Sequence, residues 1–171
     1  MKPFKSVLLI LLLLGGCAVS DVYETQPLQA DARWALLPMV NYAEAPMAGQ
    51  RAESILATLL RKQGINSLET YPQRDDEGLP ELNDERRLSH AMEWARNSDF
   101  QYGVRGSVKE WQYKSGLDGE PAVGLTVEVI EIASGRVVWS ASGAESGWGF
   151  DTLAGTAQEL LVDLIATLPL Q

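Results

Sequence analysis

The spacing of apolar positions along this chain changes several times, and each change marks an element. Residues 7–14 are an unbroken apolar run. Residues 33–40, "RWALLPMV", form a second, shorter run that predicts a buried strand. Pro38 implies that it ends there or lies near a sheet edge. Ala52, Ile55, Leu56, Leu59 and Leu60 then fall three or four residues apart, which places them on one helix face. Arg61 and Lys62 suit the last turn, and Gly64 marks the stop. Residues 65–71 read as another short strand. Residues 72–84, "PQRDDEGLPELND", have no period, two prolines and five acids, and read as a loop.

Helical spacing returns over residues 85–97 with Leu88, Ala91, Met92 and Ala95 on one side. Residues 100–113 alternate weakly, and "SGLDGEP" makes a turn. Val123, Leu125, Val127 and Val129 alternate with Gly124, Thr126, Glu128 and Ile130 as in a half-buried strand. "ASGR" is a hairpin turn and residues 137–144 the next strand. Asp151 is placed to cap a last helix whose apolar face carries Ala157, Leu160, Leu161, Leu164, Ile165 and Leu168. The predicted order is β-α-β-α-β-β-β-α. It implies one α+β domain, with a single mixed sheet and helices packed on it. The early strands are parallel and the last three form an antiparallel meander.

The first apolar run is too short to span a bilayer, which takes about 20 residues. Lys2 and Lys5 precede it and small residues follow, as in an export signal. Leu14-Gly15-Gly16-Cys17 is similar to the bacterial lipobox, whose cysteine is acylated and becomes the new N-terminus. Cys17 is the one cysteine, so no disulfide forms within the chain. The expected organisation is a cleaved signal over 1–16, a lipidated Cys17 with a tether over 17–32, and a single domain over 33–171. Fully extended, residues 18–32 reach at most about 50 Å. Ala18 follows the cysteine. In Gram-negative lipoproteins an Asp there tends to hold the protein at the inner membrane, so Ala18 points to the outer membrane, with the body on the periplasmic side.

Charge adds a constraint. Lys2 and Lys5 leave with the signal, so 14 basic residues become 12 against 23 acidic ones, a net of −11. Such a surface does not seek nucleic acid or anionic headgroups. It serves solubility or a cationic partner. Catalytic chemistry is sparse. His90 is the one histidine, which excludes a two-histidine metal site, and its charged helix suggests a surface position. There is no GxSxG, HExxH or phosphate loop. Asp75 and Asp76 lack apolar surroundings that would raise a carboxyl pKa. The chain reads as a non-enzyme with no cofactor and no metal.

Three stretches resemble a known family. "RWALLPMVNYAEAPMAGQRAESILATLLRKQG", "YGVRGSVKEWQY" and "VEVIEIASGRVVWSASG" are similar to the CsgG-like lipoproteins, and within them to the PelC-like lipoproteins of exopolysaccharide secretion. The resemblance extends over nearly the whole mature chain. It implies a non-enzymatic homo-oligomeric ring on the periplasmic face of the outer membrane. The ring would guide Pel, a partly deacetylated and so cationic polysaccharide, to a PelB-like export barrel. The acidic balance suits such a cargo.

The resemblance also implies site residues. Asp118, with Glu120 beside it, matches an acid that faces the polymer path, although Asp-Gly is also plain turn chemistry. Trp148 and Phe150 in "SGWGF" match membrane-contacting aromatics, and the other reading folds Trp148 onto the core as a lid. Arg105 either pairs with an acid of a neighbouring subunit or occupies an exposed strand position. Trp34, Trp94 and Trp139 are assigned to core or subunit packing. A competing reading is a monomeric adaptor that activates a periplasmic cell-wall enzyme, as LpoB-like lipoproteins do. Those carry long tethers, and the one here is short. A curli-type pore needs an inserted stretch of alternating strands long enough to line a membrane barrel, about 9 to 11 residues each, and the chain has no spare insertion of that kind.

Overall fold

The computed structural model describes residues 19–72, 83–116 and 119–171. Cys17, the acids at 75 and 76, and Asp118 lie outside the described residues. The elements are β1 (Val19–Glu24), β2 (Trp34–Asn41), α1 (Ala48–Lys62), β3 (Leu68–Thr70), α2 (Asp84–Asn97), β4 (Tyr102–Tyr113), β5 (Pro121–Glu131), β6 (Val137–Ser146) and α3 (Leu153–Ala166). They form one sheet of order β1-β6-β5-β4-β2-β3. β2 runs parallel to β3 and β4, and β4, β5 and β6 form the antiparallel meander. The α+β class and the β-α-β-α-β-β-β-α order stand, with one strand added in front.

Helices cover both sheet faces. Leu56 and Leu60 of α1 join Leu160, Leu161 and Leu164 of α3 in a core with Trp34, Leu36, Val104, Leu125, Val127 and Trp139. Ala91 and Ala95 of α2 pack on the opposite face with Ala35, Leu37, Phe100, Ile130 and Ile132. Trp34 and Trp139 are fully buried, and Trp94 is half-buried against Tyr71 and Phe100. All three tryptophans therefore pack within the subunit.

Three local expectations change. The segment read as a tether instead carries β1, which pairs with β6 from Val19↔Ala144 to Glu24↔Trp139. Behind it, Leu28 is fully buried and bonded to the C-terminal segment: its N–H donates to the Pro169 carbonyl, and its carbonyl accepts from Gln171. Without β1, β6 would present an open edge, and pairing satisfies those backbone groups. The sheet therefore takes in Val19–Glu24, which the sequence reading assigns to the tether.

Pro38, for its part, does not end its strand; it lies near a sheet edge, since β2 is next to the edge strand β3 and β3 does not reach past Leu36. The β2–β4 register shifts between Leu36 and Met39 to accommodate it. Pairing with β3 stops at Leu36. Beyond that point the Met39 N–H donates to Glu53 Oε1 and the Asn41 N–H to Asp84 Oδ2, each at 3.0 Å. Side-chain carboxylates thus replace the missing strand.

The cap of α3 is Thr152, whose hydroxyl accepts from the Gly155 N–H at 3.1 Å. Asp151 is used one step earlier, in the loop described next.

Candidate functional site

The most distinctive surface lies at one pole of the sheet, where β4 and β6 end and β5 begins. Tyr113 pairs with Pro121 at the end of the β4–β5 hairpin, and the Lys114 N–H donates to the Glu120 carbonyl at 2.7 Å. Gly119 has φ +53°, which a glycine adopts without strain. This hairpin is tied to the end of β6. The Gly147 N–H donates to the Pro121 carbonyl at 2.9 Å, and Lys114 Nζ donates to Ser146 Oγ at 2.7 Å.

The loop after β6 closes on itself. The Trp148 N–H donates to Asp151 Oδ2 at 2.6 Å, and the Asp151 N–H donates to the Trp148 carbonyl at 2.8 Å. This tight turn holds both aromatic side chains outward. Trp148 is 66% exposed and Phe150 fully exposed. Trp148 is therefore not a lid on the core. Tyr113, on the neighbouring hairpin, is also exposed. Exposed aromatics at one pole of the sheet call for an apolar or interfacial contact.

The N-terminus enters at this same pole. Val19 is opposite Ala144, four residues before Trp148. Cys17 precedes Val19 by two residues in the sequence.

The other expected residues sit apart. Glu120 is half-buried in the hairpin. Arg105 lies mid-strand on β4, and its Nε donates to Glu128 Oε2 on β5 at 2.8 Å. Both side chains are about 30% exposed (31% and 29%), so the acid that meets Arg105 in this chain comes from the next strand. His90 is exposed on α2.

One acidic group was not foreseen. Glu145 near the end of β6 faces Asp151 and the α3 acids Glu159 and Asp163. Burial, and then the charges of Glu159, Asp163 and Asp151, hold its carboxyl above the usual carboxylate range. Its Oε2 has no hydrogen-bond partner among the described residues, nor has Oγ1 of Thr156. The four-residue spacing of Glu159 and Asp163 was the available signal, but it carries no pointer to β6. Among the described residues no group of three or more His, Cys, Asp or Glu side chains is placed to hold a metal ion. No described helix is long and apolar enough to cross a membrane.

No protein-family profile matches the chain, and neither does any curated protein. Solved structures do. A PelC dodecamer from Paraburkholderia phytofirmans is 34% identical with a TM-score of 0.76, over 91% of this chain and 99% of that one. A second dodecamer, a leucine-to-methionine variant of PelC from the same organism, is 36% identical with a TM-score of 0.73, over 88% of this chain and 98% of that one. The lipoprotein GNA1162 from Neisseria meningitidis, at 15% identity and a TM-score of 0.56, covers 79% of this chain and 98% of its own, and shares the fold.

Proposed function

The chain belongs to the PelC family, and on that premise we propose that it is an outer-membrane lipoprotein, anchored through Cys17, that assembles with its own copies into an acidic periplasmic ring. The ring guides a cationic exopolysaccharide of the Pel type toward an outer-membrane export barrel. The observation that carries this reading is the similarity, along nearly the whole chain, to two structures that are themselves dodecamers.

The polar arrangement of the subunit supports it. An acylated Cys17 would stand two residues from β1, beside the exposed Trp148 and Phe150. Lipid and aromatics would then meet the same bilayer face. The body cannot stray far on so short a connection, which favours a ring held at the membrane over an adaptor reaching through the cell wall. The β4–β5 hairpin, with Glu120 and the proposed polymer-facing Asp118, is tied to this same loop by the Lys114 and Gly147 bonds. Weak, exposed, repeated carboxylates attract a cationic chain without fixing it. Arg105, of which only Nε is engaged among the described residues, is the proposed polar contact between subunits.

The test is mass and export together. Light scattering on the full-length lipoprotein in detergent should give one large discrete oligomer. Asp118→Ala should reduce Pel export in cells without changing that mass. A strict monomer at every concentration would rule out the ring and direct attention to a periplasmic enzyme as partner.

A further inference from the structure

Resting on the reading of a partly deacetylated and so cationic cargo, we infer that the recess beside the β4 bulge is an aminosugar-binding site, with Tyr42 as its platform and Lys109 as a built-in competitor. The recess exists because neighbouring strands end at different heights. β2 stops at Asn41, opposite Val108, while β4 runs on to Tyr113. The space left beside β4 measures about 450 Å³, within the range of small-molecule sites. Tyr42, Glu44, Lys109, Glu110 and Gln112 are among the residues that line it.

Two backbone features place the key side chains. The Tyr42 N–H donates to the Val108 carbonyl at 2.9 Å, which fixes Tyr42 beside the bulge. Lys109 is the extra residue of that bulge. Val108 pairs with Leu125 and Glu110 with Gly124, so no residue of β5 stands opposite Lys109. A bulge re-aims the side chain it carries. Here the Lys109 ammonium lies 4.3 Å from the centre of the Tyr42 ring, a cation on an aromatic face. Tyr42 is 58% exposed, so the ring is open to solvent rather than packed on the core.

The partner of Lys109 is informative. Glu44 and Glu110 line the same recess, yet among the described residues neither forms an ion pair. Glu110 Oε1 instead accepts from Gln112 Nε2 at 3.0 Å. The recess thus offers an aromatic face that already takes an ammonium, two carboxylates and an amide. A sugar with a free amine has the matching groups. Its ammonium replaces Lys109 Nζ on the ring, between the carboxylates, and its hydroxyls meet Gln112 and Glu110. Lys109 and Glu110 also line a second recess of about 330 Å³, with Asp21 and Ser142, where Gly124 and Gly143 add no side chains. A chain of sugars can run from one recess into the next. Lys109, returning to Tyr42, releases each unit in turn.

Calorimetric titration of the full-length protein in detergent with a glucosamine tetramer tests this. An N-acetylglucosamine tetramer and tetralysine serve as controls. The acetylated sugar should bind at least about tenfold more weakly, because it has no ammonium for the ring and the carboxylates. Tyr42→Leu should weaken binding of the amine by about threefold. Glu44→Gln with Glu110→Gln should weaken it by about fivefold. Lys109→Met should instead tighten it by about threefold, as the ring is freed. That gain should disappear when Tyr42→Leu is also present, which separates release of the ring from simple loss of a positive charge. These side chains line an open recess, so the variants should melt like the unmodified protein. Equal binding of the two sugars, tetralysine bound as tightly as the amine, or a Lys109→Met gain undiminished without Tyr42 would each overturn the site. Oligomer mass judges the ring reading separately. A monomer that binds the amine through Tyr42 keeps the site, and a full ring whose binding ignores these variants loses it.

Discussion

Arg87 and Glu53 form a bidentate ion pair at 2.7 and 2.8 Å, with both residues only 2% exposed. It links α2 to α1, which lie on opposite faces of the sheet, at the place where β3 stops and β2 has lost its neighbour. Glu53 Oε1 serves a second donor there, the Met39 N–H.

Removing one partner strands a buried charge. Arg87→Ala and Glu53→Ala should each destabilise the subunit by about 3–5 kcal/mol. The glutamate variant also leaves the Met39 N–H without its acceptor. Urea denaturation followed by circular dichroism checks this, and a loss under about 1 kcal/mol would mean that water reaches the pair.

Gly49, at the second position of α1, sets two effects against each other. An alanine in a helix interior is favoured over glycine by about 1 kcal/mol. A Cβ at this position would lie 2.3 Å from the Met39 carbonyl oxygen, which is backbone and cannot swing away. Overpacking of this kind costs about 1–3 kcal/mol, and the 2.3 Å approach to backbone puts it at the upper end, so Gly49→Ala should destabilise by up to about 2 kcal/mol net. A melting temperature equal to or above that of the unmodified protein would show that α1 can slide away from β2.

Glu145 gives a pH dependence whose sign follows from its surroundings. Burial and three nearby carboxylates raise its folded-state pKa above the ordinary 4.5. Its contribution to stability is complete below the unfolded value and is lost as pH rises through the folded one. At neutral pH the ionised group therefore works against the fold. Glu145→Gln should stabilise the subunit at pH 7, by less than about 1 kcal/mol since the residue is only half-buried and solvent screens part of the repulsion. The gain should vanish toward pH 4. Melting curves across that range decide it, and a variant less stable than the parent at pH 7 would contradict the assignment.

Much of this fold can be read from apolar spacing, because each helix buries one face and the meander alternates. The elements that resist such reading are held by partners far away in sequence. β1 has only weak alternation over Val19–Glu24, and it is a strand because β6 offers an open edge. Pro38 argues for an edge and β2 has one beyond Leu36, but the acceptors that Glu53 and Asp84 supply there come from two helices that no local window contains. The same holds for the site. Trp148 and Phe150 stand out as aromatics among glycines. Their position beside the entry of the N-terminal strand follows only from the β1–β6 register. The cluster around Glu145 combines a strand, a loop and a helix, and no single spacing announces it.

The exposed aromatics make a prediction that is separable from the anchor. In a chain beginning at Ala18 there is no lipid, so any membrane affinity must come from the protein surface. Burying an aromatic side chain contributes about 1.5–3 kcal/mol when it is fully withdrawn from water, and partial insertion of two such groups retains a good part of that. Trp148→Ser with Phe150→Ser should lower partitioning into phospholipid vesicles by about tenfold or more, equivalent to about 1.4 kcal/mol. Both side chains project into solvent from a turn held by Asp151 and the backbone, so the melting temperature should stay within a degree or two of the parent. Trp148 fluorescence in the parent chain should shift to the blue when vesicles are added, as the indole leaves water. Unchanged partitioning together with an unshifted emission would place these aromatics against protein, at a neighbouring subunit or an export barrel, and leave Cys17 as the sole contact with lipid.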